Sequence, residues 1–477
     1  MTTLAVPLLG GFLRGNVSPN EKIGVAVAGC RRGWSLIQMA NGHPSTEVCK
    51  VVEVDSAIAK GVAARLEKEY KIKPPFTSDY RELLNDKTID VVMVATPNHS
   101  HALITLDALK AGKDVYLEKP ASYSVAEGRW MANAARQSQR IVQVGTQARS
   151  SDGVRKGIRL LKDGKIGEVK LVHAIAYRNR NGIGPKGDYP VPSGVDYNLW
   201  MACAPLTEPK LTRKNLHYDW HWCRHFAGGE MTNNGPHQMD VARWGLGLDR
   251  HPDSILTYGS NFGFSEVGDN LRSGVSILHY GDKTVVFEVR NLQQDDCPKE
   301  GLHCATFYGT EGILRQSSPD MAWYLYDRKE TLLEKITGSD YLDGRFISGQ
   351  EHFDNFIVGV RSRNPKDLNT DILDGHLSVS MCHLANISWF LGEKNTVSEK
   401  EGLTVLESLP GQDDHPKRFK KFLDYLAPHK FRDNGGKLSF GPLLKFDNEK
   451  ERFVDHAEAD ALLTRKEYRS EFPVGAR

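Results

Sequence analysis

The sequence predicts an α/β fold whose N-terminal part, residues 22 to about 147, is a doubly wound parallel sheet. The first observation behind this is Asp90–Pro120, which reads DVVMVATPNHSHALITLDALKAGKDVYLEKP. Two strand-like runs, Asp90–Ala95 and Asp114–Leu117, flank a helical stretch from Ser100 to Ala111. Ala102, Leu103, Leu106 and Leu109 fall on one face of that helix, and Gly112 can close its C-terminus. A strand, a helix and a second strand of this length make a βαβ unit, hence a parallel pair. The second observation is Lys22–Ala28 (KIGVAVA), a buried strand by composition that runs into Gly29-Cys30-Arg31-Arg32-Gly33 and a helix. The third is the alternation of strands and helices along the whole segment. Strand Glu47–Val54 precedes a helix ending near Tyr70, and Phe76–Asn85 holds a turn and a short helix. After the βαβ unit come a helix over Ser124–Gln137 and a strand Ile141–Val144.

At 477 residues the chain has room for two or three domains. Apolar content of 40%, charged content of 26% and 44 glycines describe an ordinary globular protein. A formal charge of +2 gives no electrostatic case for nucleic acid, and the basic run Lys417–Lys421 reads as a solvated face. Seven scattered cysteines form neither a disulfide framework nor a CxxC pair. No run is long enough to span a bilayer. Thr2–Leu13 is uncharged and apolar, of a length that suits a secretory signal peptide, but no basic segment precedes it. Two readings stand. A twin-arginine leader begins upstream, which favours the periplasm and a cofactor loaded before export, or residues 1–20 are a frayed terminus and the protein is cytoplasmic.

In open α/β sheets ligands bind at the carboxyl ends of the strands, so the polar turns there are candidate sites. Gly29 permits the tight turn after the first strand, and the following helix start can hold a pyrophosphate. The usual GxGxxG pattern is altered: Arg31 stands where the second glycine would be, and the loop to Gly33 looks one residue short. Arg31 and Arg32 contact a phosphate directly or are simply solvated. Glu53 follows Gly29 by about two dozen residues, where an acidic residue binds ribose hydroxyls, and a carboxylate there favours NAD over NADP. Asp55 competes for that role. Thr96, Asn98 and His99 end one central strand, and Glu118, Lys119 and Pro120 end the next. Gln147 and Arg149 follow the last strand, within reach of cofactor or substrate.

The second half reads as a helix over Gly157–Gly167, a strand over Val169–Arg178, a Gly- and Pro-rich loop over Asn179–Pro192 and a short helix from Asp196. Ile277–Gln293 and Ala305–Tyr308 alternate like strands, and Glu351–Arg361 and Asp374–Leu391 read as amphipathic helices. His217–Phe226 reads HYDWHWCRHF. Its His217, His221 and His225 have the spacing of metal ligands on one helix face. The interleaved Trp220, Trp222 and Phe226 fit core packing or sugar stacking better, so no metal is expected.

The run TPNHSHALITLDALKAGKDVYLEKP resembles the signature of the Gfo/Idh/MocA family of nicotinamide-dependent sugar oxidoreductases, with the EKP turn matched by Glu118, Lys119 and Pro120. The resemblance covers roughly residues 22–395. It implies a Rossmann domain followed by an α/β domain on a large, mostly antiparallel sheet whose open face often makes oligomer contacts, hence a homo-oligomer. The corresponding division is 21–148, 149–395 and an extension, 396–477, of unread role. GGEMTNNGPHQMD (residues 228–240) resembles the family's second signature. The carry-over puts His237 at the catalytic histidine and Asn233 one turn earlier, where many family members have Asp.

Lys119 is the best candidate to polarise or deprotonate a sugar hydroxyl while hydride leaves for NAD, and His237 is the second. Asn233 can orient but not accept a proton. Trp200 and Trp222 are candidate sugar platforms. The pattern around HYDWHW and NNGPHQMDVARWGLG is similar to the branch holding NAD-dependent glycosidases and glycoside 3-dehydrogenases. In that chemistry a C3 ketone acidifies the C2 proton, so the C1 substituent can be expelled. The expectation is therefore an NAD-dependent sugar or glycoside dehydrogenase acting at C3. The alternatives are a glycosidase that recycles NAD and a non-catalytic binding protein.

Overall fold

The computed structural model describes residues 22–475 apart from 206–210, 265, 294–302, 318–320, 339–340, 343–344, 347–348 and 434. The N-terminal region discussed above, 1–20, lies outside the described residues. Strands β1 (Ile23–Ala28), β2 (Thr46–Val52), β3 (Phe76–Thr77), β4 (Val91–Val94), β5 (Asp114–Leu117) and β6 (Val142–Val144) form a parallel sheet in the order β3-β2-β1-β4-β5-β6. Strand order reverses between β1 and β4, so their carboxyl ends, Gly29 and Thr96, flank the crevice of a doubly wound sheet. Helices α1 (Gly33–Gly42), α2 (Ser56–Tyr70), α3 (His101–Lys110) and α4 (Val125–Ser138) connect the strands. Their starts and stops follow local chemistry. Asp55 caps α2 by accepting from the amides of Ala57 and Ile58, Ser124 caps α4, and Gly112 at φ 76° ends the turn after α3.

After α5 (Asp152–Lys162) the chain builds a second sheet from β7 (Val169–Tyr177), β8 (Ser254–Ser260), β9 (Ser273–Tyr280), β10 (Lys283–Arg290), β11 (His303–Gly309), β12 (Ile313–Ser317), β13 (Trp323–Tyr326) and β14 (Leu332–Ile336). The order is β14-β13-β12-β11-β7-β10-β9-β8, antiparallel except between β7 and β10. Helix α5 lies five residues earlier than the glycine-bounded expectation, because Ser151 caps its first turn and Gly164 and Gly167 turn the chain afterwards.

The sequence pattern of β9 and β10 reads as alternating, yet nearly all their residues are buried. Both faces of the sheet are covered. One carries Leu278, Val285 and Phe287 against the helices α8 (Gly235–Leu246) and α10 (Ile372–Gly392). The other carries Tyr258, Val275, Ile277 and Val286 against Phe419, Phe422, Tyr425 and Leu426 of the helix His415–Leu426. That helix belongs to the C-terminal extension, so the face expected to be open is occupied in part by the chain itself. The extension also adds strands Leu438–Phe440 and Leu444–Asp447 beside β8. Its Arg418 pairs with Asp413 and donates to His173 of β7, which in turn bonds Glu288 of β10 at 3.0 Å. Phe422 is fully buried with its ring 5.8 Å from that of Tyr258. Phe422→Ala is expected to cost about 3–5 kcal/mol, measured by denaturant unfolding of the full chain.

Helix α9 (Gln350–Ser362) returns to the first domain, packing Phe353 and Phe356 on Tyr116 of β5. No helix among the described residues is long and apolar enough to cross a membrane.

Candidate functional site

A cavity of about 480 Å³ opens at the carboxyl ends of β1, β2, β4 and β5. Gly29 begins it with φ 87°, and a Cβ there would lie 2.7 Å from the carbonyl oxygen of Ala95, so only glycine fits. Arg31 and Arg32 line the cavity beside the start of α1; the Trp34 and Ser35 amides there already donate to the Cys30 and Arg32 carbonyls, so the two guanidiniums are the groups that can meet an anion. Gly33 does not line it. A Cβ there would approach Val27 to 3.1 Å, so Gly33 serves the close packing of α1 on β1.

Glu53 reaches back into the glycine turn: its Oε2 accepts from the Cys30 amide at 2.9 Å and its Oε1 from the Asp55 amide at 3.0 Å. Burial raises its pKa despite those bonds. Asp55 is not among the lining residues, being engaged by the first amides of α2 and by Nε2 of His217 at 2.8 Å. Of the two acidic candidates, Glu53 faces the cavity.

The two turns of the central βαβ unit meet here. Thr96 and Asn98 line the wall from one side, Glu118, Lys119 and Pro120 from the other. The buried His101 ring ties them, lying 2.9 Å from the Thr96 carbonyl and 2.8 Å from that of Pro120. Lys119 and Pro120 are joined by a cis peptide bond. Glu118 is held by Nη2 of Arg32 at 3.2 Å and, at 3.4 Å, by Nε2 of Gln147, which lies behind the wall. His99 also lies behind it, fully buried, with Nε2 donating to the Trp200 carbonyl at 2.9 Å.

Lys119 is drawn to the short helix α7 (Gly229–Asn233): its Nζ donates to the Asn233 carbonyl at 2.8 Å and lies 3.4 Å from Oδ1 of the same residue. Burial lowers its pKa; Glu118 opposes this and Arg32 adds to it. A tetrahedral nitrogen with two positions on Asn233 keeps one more for another partner, and in the neutral form that position is a lone pair.

His221 lines the same cavity, with Trp220 and Tyr218. Its ring stacks on Trp220 with centroids 3.7 Å apart. Nδ1 donates to the Tyr218 carbonyl at 2.6 Å, which leaves Nε2 as the acceptor. Burial pulls the imidazole down to about 4; the bond to Tyr218 opposes this and the Lys119 charge adds to it. His237, on the first turn of α8, is half-buried and not among the lining residues. The spacing of His217, His221 and His225 had placed all three on one helix face. The chain there forms only a 3-10 turn, Asp219–Trp222, after which His217 and His221 line the cavity and His225 does not.

Trp200 lines the cavity, whereas Trp222 packs beneath the guanidiniums of Arg272 and Arg180 and does not reach it. Arg149 is also outside it. It binds Asp240 through Nε and Nη2 at 2.8 and 2.9 Å and borders a separate cleft with Arg155, Arg159 and Trp244. Among the described residues one His/His/Glu group could reach a common ion: His251, His376 and Glu451. Oε1 of Glu451 already accepts from both imidazoles and from Arg129, whose guanidinium supplies the positive charge a cation would bring.

Residues 23–146 match the model of an oxidoreductase family described by its NAD-binding Rossmann fold, Gfo/Idh/MocA. Inositol 2-dehydrogenase of Salmonella paratyphi B is 31% identical over 157 residues, a match that spans 33% of this chain and 46% of that relative. In fold, the chain is similar to GenD2 from gentamicin A biosynthesis, solved with NAD, at a TM-score of 0.56 and 20% identity over 78% of this chain and 95% of the other. It is also similar to a levoglucosan dehydrogenase solved with NADH and levoglucosan, at a TM-score of 0.58 and 15% identity over 77% and 96%. Both domains of the fold are therefore shared with these structures, and residues 23–146 match the NAD-binding Rossmann domain of the Gfo/Idh/MocA oxidoreductases.

Proposed function

We propose that this chain is an NAD-dependent oxidoreductase that oxidises a ring hydroxyl of a sugar or glycoside, most plainly at C3. One observation carries the reading: the glycine turn, Glu53, Lys119 and His221 all line a single cavity. The curated relative and one of the solved structures described above act, by their names, on inositol and levoglucosan, which are polyhydroxylated rings.

The residues fit NAD. Gly29 makes the tight turn at the end of β1, Arg31 and Arg32 on the cavity wall suit a pyrophosphate, and Glu53 suits ribose hydroxyls. When bound, NAD supplies the hydride acceptor. Glu53 would repel a 2′-phosphate, so Glu53→Ala is expected to raise the NADP-to-NAD preference by about tenfold or more, read from cofactor titrations of both variants.

Lys119 takes the hydroxyl proton, held in place by Asn233, which cannot take it. His221 is a second proton acceptor, fixed in tautomer by Tyr218 and kept neutral by burial. Trp220 and Tyr218 offer aromatic surface for a sugar face. Two acceptors in one cavity also favour a second reading, a glycosidase in which one takes the hydroxyl proton and the other the C2 proton. Following nicotinamide absorbance and nitrophenol release in parallel on para-nitrophenyl glycosides tests both. NADH accumulation fits the dehydrogenase, nitrophenol without NADH build-up fits the closed cycle, and a protein that binds NAD yet changes neither signal refutes the catalytic reading.

A further inference from the structure

Beyond residue 462 the chain leaves the large sheet and crosses the first domain beside the cavity. The Leu463 carbonyl accepts from the Ala126 amide at 3.0 Å, and the Tyr468 hydroxyl donates to Glu127 at 2.9 Å. Arg465 donates to the His225 carbonyl at 2.9 Å with its guanidinium 3.5 Å from the Tyr123 ring centroid. Phe472 is buried in the cluster that holds Tyr80, Ala202 and Cys203.

Arg469 lies at the centre of this segment, 8% exposed. Its Nη1 donates to the carbonyls of Asn198 and Ala202, each at 3.1 Å, and its Nη2 to Oδ1 of Asn198 and to Glu471. Those carbonyls bracket α6 (Tyr197–Met201), which with Ala202 puts Leu199, Trp200 and Ala202 into the cavity wall. Ala202 has φ 46° and ψ −122°, a conformation that a residue with a Cβ adopts only when its surroundings impose it. From the opposite side His99 binds the Trp200 carbonyl, and the Cys203 thiol donates to the His99 carbonyl at 2.8 Å. The wall is thus held between the Rossmann domain and the C-terminal segment.

We propose that Arg469 is a positioning residue for the cofactor cavity: it holds the backbone of Ala202 in its left-handed conformation and so sets the wall made by Leu199, Trp200 and Ala202. The inference rests on reading that cavity as the NAD site. Arg469 touches neither cofactor nor substrate in this account; it acts through two carbonyl groups. The C-terminal extension is then part of the cofactor site, although it lies more than 260 residues from the segment it holds.

The test is titration of NADH fluorescence into the full-length protein, with thermal melting of every variant in parallel. Arg469→Ala is expected to weaken NADH binding about tenfold, the scale of a lost charge-assisted bond. Ala202→Gly in that background is expected to restore most of it, because glycine adopts a positive φ without the arginine. The melts separate this from a loss of folding: an NADH affinity that merely follows the melting temperature through the variants overturns the positioning role. Wild-type affinity in Arg469→Ala, or a loss that Ala202→Gly does not reduce, overturns the proposal. Should Arg469→Ala not fold, Arg469→Gln, whose side chain is shorter, uncharged and without the second amino group that reaches Asn198 and Glu471, is read by the same criteria. A wild-type protein that does not bind NADH would overturn the reading of the cavity itself, an outcome separate from any effect of Arg469.

Discussion

Lys119→Ala is expected to lower the rate of NAD reduction by roughly 10²–10⁴-fold while NAD still binds, the range for a positioned acid–base group. The glycine turn, the start of α1 and Glu53 do not depend on the lysine, so a cofactor titration should give nearly the wild-type affinity. Lys119→Arg is expected to be as inactive as the alanine variant, since a guanidinium keeps the charge but does not give up its proton. The sign of the pH dependence follows from the same assignment. The neutral amine is the competent form, so activity falls as pH drops through the Lys119 pKa. Burial sets that pKa below the ordinary lysine value. A rate that rises as Lys119 becomes protonated would reverse its role from acceptor to donor.

His221→Phe is expected to cost about a hundredfold in kcat. Phenylalanine keeps the ring stacked on Trp220 and removes the acceptor at Nε2 together with the Nδ1 bond to the Tyr218 carbonyl. With the imidazole held near 4, His221 is neutral throughout the neutral range. The wild-type profile should therefore show no His221 titration between about pH 5 and 8, whereas an unperturbed histidine would titrate there. The companion change His237→Phe separates two assignments. The family resemblance points to His237, the cavity to His221, and the larger kcat loss identifies the histidine in use.

The first domain was legible because its strands are short apolar runs with polar ends, a pattern set by burial on both faces of a parallel sheet. Asp90–Pro120 alone predicted two strands, the helix between them and the turns that now form the cavity wall. The histidine was less legible. Which residue of HYDWHWCRHF approaches Lys119 depends on a 3-10 turn and on the docking of that loop across the sheet ends, and neither leaves a local pattern. The extension was obscured for another reason. Phe419, Phe422 and Tyr425 sit in a charged stretch, and their periodicity gains meaning only when a sheet face is known to lie beneath them. Likewise Ile277 and Leu278 look like the two sides of a half-exposed strand, yet each finds its own core. Arg469 carried no signal at all, because its partners are backbone carbonyls distant in sequence.

The central claim is that Lys119 acts on a substrate hydroxyl in the same cavity that holds NAD. Its most direct test is rapid mixing of the NAD-loaded full chain with a panel of neutral sugars and glycosides, following nicotinamide absorbance in the wild type and in Lys119→Ala. The account predicts reduction of bound NAD in the wild type and, at equal NAD affinity, a rate lower by about 10² or more in the variant. Equal rates in the two proteins, or product formed by wild-type protein from which NAD has been stripped, would contradict it.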